Sequence, residues 1–76
     1  MELDITMPRL DMSMTEGVFA GWLVPDGAMV NEGQPLYSVE NQKANEDIPA
    51  PKAGRLRQIA VVGATYPVGA KLGEIA

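Results

Sequence analysis

A chain of 76 residues with a formal net charge of −4 makes one small domain, and its six Lys and Arg against ten Asp and Glu leave too few cations for a nucleic-acid surface. There is no cysteine and no histidine, which removes Ser-His and Cys-His catalysis, zinc sites built on those ligands, and any disulfide framework. A domain of this size buries only about 60% of its unfolded surface, so packing alone must stabilise it, and a cytoplasmic compartment is expected.

The apolar content of 46% is that of a globular chain, not a disordered one. No apolar run approaches the ~20 residues of a membrane span. Met1 leads into Glu2 and Asp4 and not into a basic signal segment, so no membrane association is expected.

Met1 to Met7 places Leu3, Ile5 and Met7 on one face, the period of a strand, and Pro8 ends it. Pro8 to Glu16 reads as a loop, with Met12 and Met14 expected to fill gaps against the core. Gly17 to Pro25 is apolar and β-prone. Its large residues Phe19 and Trp22 break strict alternation, which a bulge or bend near Gly21 would explain. Pro25-Asp26-Gly27 is a turn, Ala28 to Val30 a short strand, Asn31-Glu32-Gly33 a turn, and Gln34 to Glu40 a strand. Gly54 to Val62, Thr65 to Val68 and Lys71 to Ala76 complete the set, and no window carries a helical stripe. Trp22 is expected in the core, where truncation to alanine costs about 3–5 kcal/mol.

Between Leu36-Tyr37-Ser38-Val39 and Ile48-Pro49-Ala50-Pro51 lies the polar stretch from Glu40 to Asp47. Asn41 suits the first position of a tight turn, because its side chain bonds the backbone two residues on. The stretch therefore reads as a β-hairpin with Lys43 at or beside its tip. Taken alone, a lysine on a turn is a solvated charge.

An internal repeat gives that hairpin its meaning. Gly17–Pro25 aligns with 54–62, and Gly27–Glu40 with 63–76, when Asp26 is skipped. Identical pairs fall at Gly17/Gly54, Val24/Val61, Gly27/Gly63, Ala28/Ala64, Gly33/Gly69 and Leu36/Leu72, where chance would give about two. Apolar pairs add Phe19/Leu56, Trp22/Ile59, Val30/Tyr66 and Val39/Ile75. The repeat predicts two similar half-units packed face to face about a quasi-twofold axis, sharing one core of these paired positions. Lys43 then stands on one edge and the C-terminal end of the last strand on the opposite one.

With these residues in view, the chain resembles a lipoyl domain of the biotinyl/lipoyl attachment family over nearly its whole length. The resemblance rests on Met7-Pro8-Arg9-Leu10 with Met12-Ser13-Met14-Thr15-Glu16-Gly17. It rests equally on Trp22-Leu23 with Gly27, Val30 and Gly33; on Glu40 to Pro51; and on Val68-Gly69 with Leu72 and Ile75. The Met-Ser-Met-Thr-Glu-Gly run is similar to acyltransferase components of pyruvate and acetoin dehydrogenase complexes.

The resemblance implies an all-β, flattened barrel-sandwich of two four-stranded antiparallel sheets, forming a single carrier domain over residues 1–76. It implies lipoate joined by an amide to Lys43, on a long arm whose dithiolane takes up an acyl group with reduction and later yields it to coenzyme A. It implies partners as well: a lipoate-attaching enzyme, and the decarboxylase/dehydrogenase, acyltransferase and dihydrolipoyl dehydrogenase components of a 2-oxo acid or acetoin dehydrogenase complex. The isolated domain is expected to be monomeric and not to catalyse. Around the lysine, Glu40, Gln42, Ala44, Glu46 and Asp47 are the candidate recognition residues. Biotin carriers usually place methionine on both sides of the lysine, and Gln42 and Ala44 do not match that. Ala44 fits the lipoyl pattern, whereas Gln42 stands where the family usually has aspartate.

Three other readings remain open on the residues: a biotin carrier, an unmodified interaction module with the same barrel, and an enzyme using Glu40, Glu46 and Asp47 as acid and base. The last needs a cleft that a hairpin tip does not offer.

Overall fold

The structure, a computed structural model, describes residues 3–10, 12–41 and 45–76. Eight strands follow in chain order: β1 Leu3–Thr6, β2 Glu16–Trp22, β3 Met29–Val30, β4 Pro35–Glu40, β5 Asn45–Pro49, β6 Gly54–Gln58, β7 Thr65–Pro67 and β8 Lys71–Ile75. Among the described residues there is no helix. The strands form two four-stranded sheets, ordered β1-β8-β6-β3 and β5-β4-β2-β7, with every pairing antiparallel. The expected all-β sandwich of two sheets is what forms.

The quasi-twofold is visible in the connectivity. Replacing β5, β4, β2 and β7 by β1, β8, β6 and β3 turns one sheet order into the other. The hydrogen bonds between strands and turns obey the same exchange. Gly27 N–H donates to Leu56 O at 2.8 Å, and Gly63 N–H to Phe19 O at 2.8 Å. Leu56 N–H donates to Ala28 O, and Phe19 N–H to Ala64 O, both at 2.9 Å. Gly33 N–H donates to Ala50 O, and Gly69 N–H to Met7 O, again both at 2.9 Å. Gly33 and Gly69 share φ values of 84° and 91°, a left-handed turn that a side chain would strain.

The last pair of bonds extends the repeat further than linear comparison of the halves suggests. Ala50 corresponds to Met7, so β5 corresponds to β1. Asp47-Ile48 then matches Asp4-Ile5, and Pro51-Lys52 matches Pro8-Arg9. One unit runs β2-β3-β4-β5. The other runs β6-β7-β8 and is completed by β1 from the front of the chain.

The core lies between the sheets. Phe19, Leu36, Val39, Leu72 and Ile75 are fully buried, and Leu56, Met7, Ile5 and Val30 nearly so. Phe19/Leu56, Leu36/Leu72 and Val39/Ile75 are thus core pairs, as the repeat predicts. Tyr37 adds a cross-sheet tie, its hydroxyl donating to Thr6 O at 3.2 Å, and burial pushes its phenol up to about 12.

Several expectations need correction. β2 stops at Trp22 and β6 at Gln58, short of Pro25 and Val62. There Gln58, the last residue of β6 and paired with Gly73, also clasps the opposite turn: its N–H donates to Asp26 Oδ1 and its Nε2 to Val24 O, both at 2.9 Å. Beyond this clasp Ile59 and Val61 are exposed, so the pairs Trp22/Ile59 and Val24/Val61 are not shared core. Met12 is 95% exposed and fills no gap, whereas Met14 is buried as expected. The bulge falls as anticipated: Phe19 faces Val39 and Gly21 faces Ser38, leaving Ala20 as the extra residue.

Trp22 sits at the margin of the core and is only half-buried. Its ring packs on Phe19 at 4.8 Å and Tyr37 at 5.7 Å between centroids, and its buried Nε1 finds no acceptor among the described residues. The cost of Trp22→Ala is therefore revised downward, to about 2 kcal/mol. Trp22→Phe is expected to stay within about 1 kcal/mol of wild type, because no hydrogen bond is lost. Urea midpoints for the two variants check both numbers.

Candidate functional site

β4 and β5 form the hairpin expected around Lys43, with Tyr37↔Ile48, Ser38↔Asp47, Val39↔Glu46 and Glu40↔Asn45 as successive pairs. The alternation of buried Tyr37 and Val39 with Ser38 and Glu40 sets its register, since a one-residue slip would carry Val39 from a fully buried position towards solvent. On the β5 side the pairing runs three residues into the polar stretch, through Asp47 and Glu46 to Asn45. Glu46 and Asp47, read above as part of the tip, are strand residues of β5. Only residues 41–44 connect the last pair, and Lys43 is among them. Lys43, Gln42 and Ala44 lie outside the described residues.

The three described candidates, Glu40, Glu46 and Asp47, are all exposed and belong to this one hairpin. Asp47 is held in place by Ser38, whose Oγ donates to its Oδ1 at 2.6 Å. That contact was legible in principle, because Ser38 and Asp47 are opposite once the hairpin register is known. The hairpin is also an edge: among the described residues β5 terminates its sheet, with β4 as its strand neighbour. Its twofold counterpart is the β8–β1 pair, where Leu3 faces Ile75, in the other sheet. Leu3 and Ile75 there stand where Glu46 and Val39 stand in this hairpin.

Electrostatically, the two sheets differ. Strands β5, β4, β2 and β7 carry Glu46, Asp47, Glu40 and Glu16 and no cation. Arg55, Arg57 and Lys71 lie in the other sheet with Asp4 and Glu74. There Lys71 Nζ contacts Asp4 at 3.2 Å and Glu74 at 3.4 Å, and the bond to Asp4 raises the ammonium pKa above its ordinary value. The sheet that carries the hairpin therefore presents carboxylates on the strands that flank the connection 41–44.

One structural neighbour of the hairpin comes from outside it. Met14 packs at the base of the connection, and Asn41 Nδ2 donates to its Sδ at 3.9 Å. The sequence marks both residues, but nothing in it links them across 27 positions.

Exposed flanking residues on a rigid two-stranded base suit a side chain bearing a long covalent group, since that group would meet no packed surface at Glu40 or Asn45. Two four-stranded sheets exchanged by a twofold, with a lysine-bearing connection on one hairpin, define the barrel-sandwich class of biotinyl and lipoyl domains. The family described as "Biotin-requiring enzyme", the biotin/lipoyl family, matches residues 3–75, and the chain belongs to it.

The chain is 40% identical over 75 residues to the dihydrolipoyllysine-residue acetyltransferase component of the acetoin cleaving system of Cupriavidus necator, covering 97% of this chain and 20% of that one. It is 40% identical over 72 residues to the corresponding component of the pyruvate dehydrogenase complex of Mycobacterium bovis, covering 93% and 13%. It is 35% identical over 72 residues to the lipoamide acyltransferase component of the branched-chain alpha-keto acid dehydrogenase complex of Bacillus subtilis, covering 93% and 17%. The chain thus spans about a fifth or less of the length of these curated relatives.

Proposed function

We propose that residues 1–76 form a single lipoyl carrier domain in which Lys43 bears lipoate through an amide and presents it to the active sites of a 2-oxo acid or acetoin dehydrogenase complex. The observation that carries this reading is the hairpin. Its ordered strands end at an exposed Glu40–Asn45 pair, and Lys43 follows within the short connection beyond it. The family supplies the chemistry of the group, and relatives named for dihydrolipoyllysine favour lipoate over biotin.

The attached group supplies acyl uptake with reduction and acyl transfer. The protein supplies the rest. Its sandwich is a rigid base, its tether raises the effective concentration of the arm's end at successive active sites, and its acidic hairpin sheet is a surface for partners to recognise. The domain itself acts as a carrier and not as a catalyst in this reading: Glu40, Glu46 and Asp47 are exposed strand residues of a hairpin, and acid–base work needs a carboxyl held in a shaped site. Its partners in this reading are a lipoate-attaching enzyme and the decarboxylase, acyltransferase and dihydrolipoyl dehydrogenase components, in the cytoplasm.

The test is co-expression with a lipoate-attaching enzyme in the presence of lipoate, followed by intact mass. A gain of one lipoyl group is expected; no gain, with the enzyme active on a control domain, overturns the reading. Biotin in place of lipoate, with a biotin-attaching enzyme, is expected to give none. Gln42→Asp restores the residue usual in the family before the lysine and is expected to raise the rate of modification. An unchanged rate would show that the acidic residues Glu40, Glu46 and Asp47 suffice.

A further inference from the structure

Gap-filling accounts for the methyl group of Met14 but not for its sulfur. It lies in the connection between β1 and β2 and is 6% exposed, while Met12, two residues earlier, is 95% exposed. Its terminal methyl fills a notch made by the missing side chain of Gly17: a Cβ there would stand 2.5 Å from Met14 Cε, 3.2 Å from Val39 Cγ1 and 3.3 Å from Met7 Sδ. Because Val18 faces Glu40 across the β2–β4 ladder, this notch lies beside the end of β4, where Asn41 leaves the strand.

The thioether also works as an acceptor. Leu10 N–H donates to Sδ at 3.2 Å and Asn41 Nδ2 donates to it at 3.9 Å. The first bond ties down the connection that holds Met14, and the second, longer contact reaches the residue two positions before Lys43. The C-terminal end of the same connection is anchored independently, by Val68 N–H to Thr15 O at 3.0 Å. An apolar side chain of equal size would fill the notch equally well, but it would offer Asn41 and Leu10 no acceptor.

We infer that Met14 is a positioning residue: its sulfur braces Asn41 against the body of the domain and so sets the base from which Lys43 is offered to a modifying enzyme. The inference rests on the assignment of Lys43 as the attachment residue. It separates two jobs of one side chain, the methyl group packing on Gly17 and the sulfur holding the hairpin end.

The experiment compares wild type with Met14→Leu, Asn41→Ala and the double variant, each in the whole chain. Three quantities are read: the urea midpoint, backbone amide relaxation at Asn41 and Asn45, and kcat/KM for lipoate attachment. Met14→Leu is expected to hold the midpoint close to wild type, because the notch stays filled. It should increase fast motion of the Asn41 and Asn45 amides and lower kcat/KM about threefold, the scale of one lost weak hydrogen bond. In the relaxation of Asn41 and Asn45 and in kcat/KM, the double variant is expected to fall by less than the sum of the two single losses, since both changes remove the Met14–Asn41 contact.

A wild-type rate in Met14→Leu, unchanged relaxation, or additive losses in the double variant overturns the inference. If the wild-type chain accepts no lipoyl group, the assignment of Lys43 fails, and relaxation alone then decides whether Met14 braces the hairpin end. Should Met14→Leu unfold, Gly17→Ala displaces the methionine from the other side, and the same relaxation and rate effects are expected from it.

Discussion

Lys43→Arg is expected to abolish the mass gain seen when the chain is co-expressed with a lipoate-attaching enzyme and lipoate. The effect is all-or-none. Arginine keeps the positive charge and the length of the stem, but its guanidinium stays protonated and does not form the amide. The substitution falls in the connection between β4 and β5, outside both strands, so its effect on stability is expected within about 0.5 kcal/mol. An unmodified Lys43→Arg chain with a wild-type urea midpoint therefore isolates the attachment site from the fold. Retention of the full mass gain would place the group on another amine. Lys52 and Lys71 are the remaining lysines, and Lys71 is already engaged by Asp4 and Glu74.

Phe19→Ala is expected to destabilise the domain by about 3–5 kcal/mol, the range for truncating a fully buried aromatic ring. Phe19 is 0% exposed and packs against both Trp22 and Tyr37, the latter at 5.9 Å between centroids. Its backbone is equally committed, exchanging hydrogen bonds with Ala64 and Gly63 in the other unit's turn. At typical stabilities of about 0.05–0.15 kcal/mol per residue, a domain of this length has only about 4–11 kcal/mol in total, so the variant sits near its unfolding threshold. Urea denaturation followed by Trp22 fluorescence measures the loss, with Met12→Ala as a surface control expected within about 0.5 kcal/mol. A loss for Phe19→Ala below about 1 kcal/mol would mean that the core collapses around the gap or that Phe19 is not its centre.

These two variants separate the parts of the molecule. One removes the reactive group and leaves the base; the other removes the base and leaves the reactive group. A carrier needs both, because the arm gains effective concentration only from a folded domain that delivers it.

Much of the architecture was legible in the order of residues. Period-two alternation, proline and glycine punctuation and the repeat of Gly27, Gly33 and Leu36 at Gly63, Gly69 and Leu72 are local signals, and backbone sterics translate them directly into strands and turns. The same signals located the hairpin and the lysine within it. What local order could not supply was the partner of each segment. The match of Asp4-Ile5 and Pro8-Arg9 to Asp47-Ile48 and Pro51-Lys52 escaped linear comparison because the last strand of the second unit stands at the front of the chain. Ile59 and Val61 have apolar counterparts in the repeat, yet they are exposed, lying beyond the end of β6, where Gln58 bonds Asp26 and Val24 of the opposite turn. Met12 and Met14 look alike in sequence and differ in space, because only Met14 meets the notch at Gly17. Strand period and turn position are set by each residue's own backbone and neighbours; burial and the bracing of Asn41 by Met14 depend on contacts between residues far apart in the chain, which only the folded sandwich brings together.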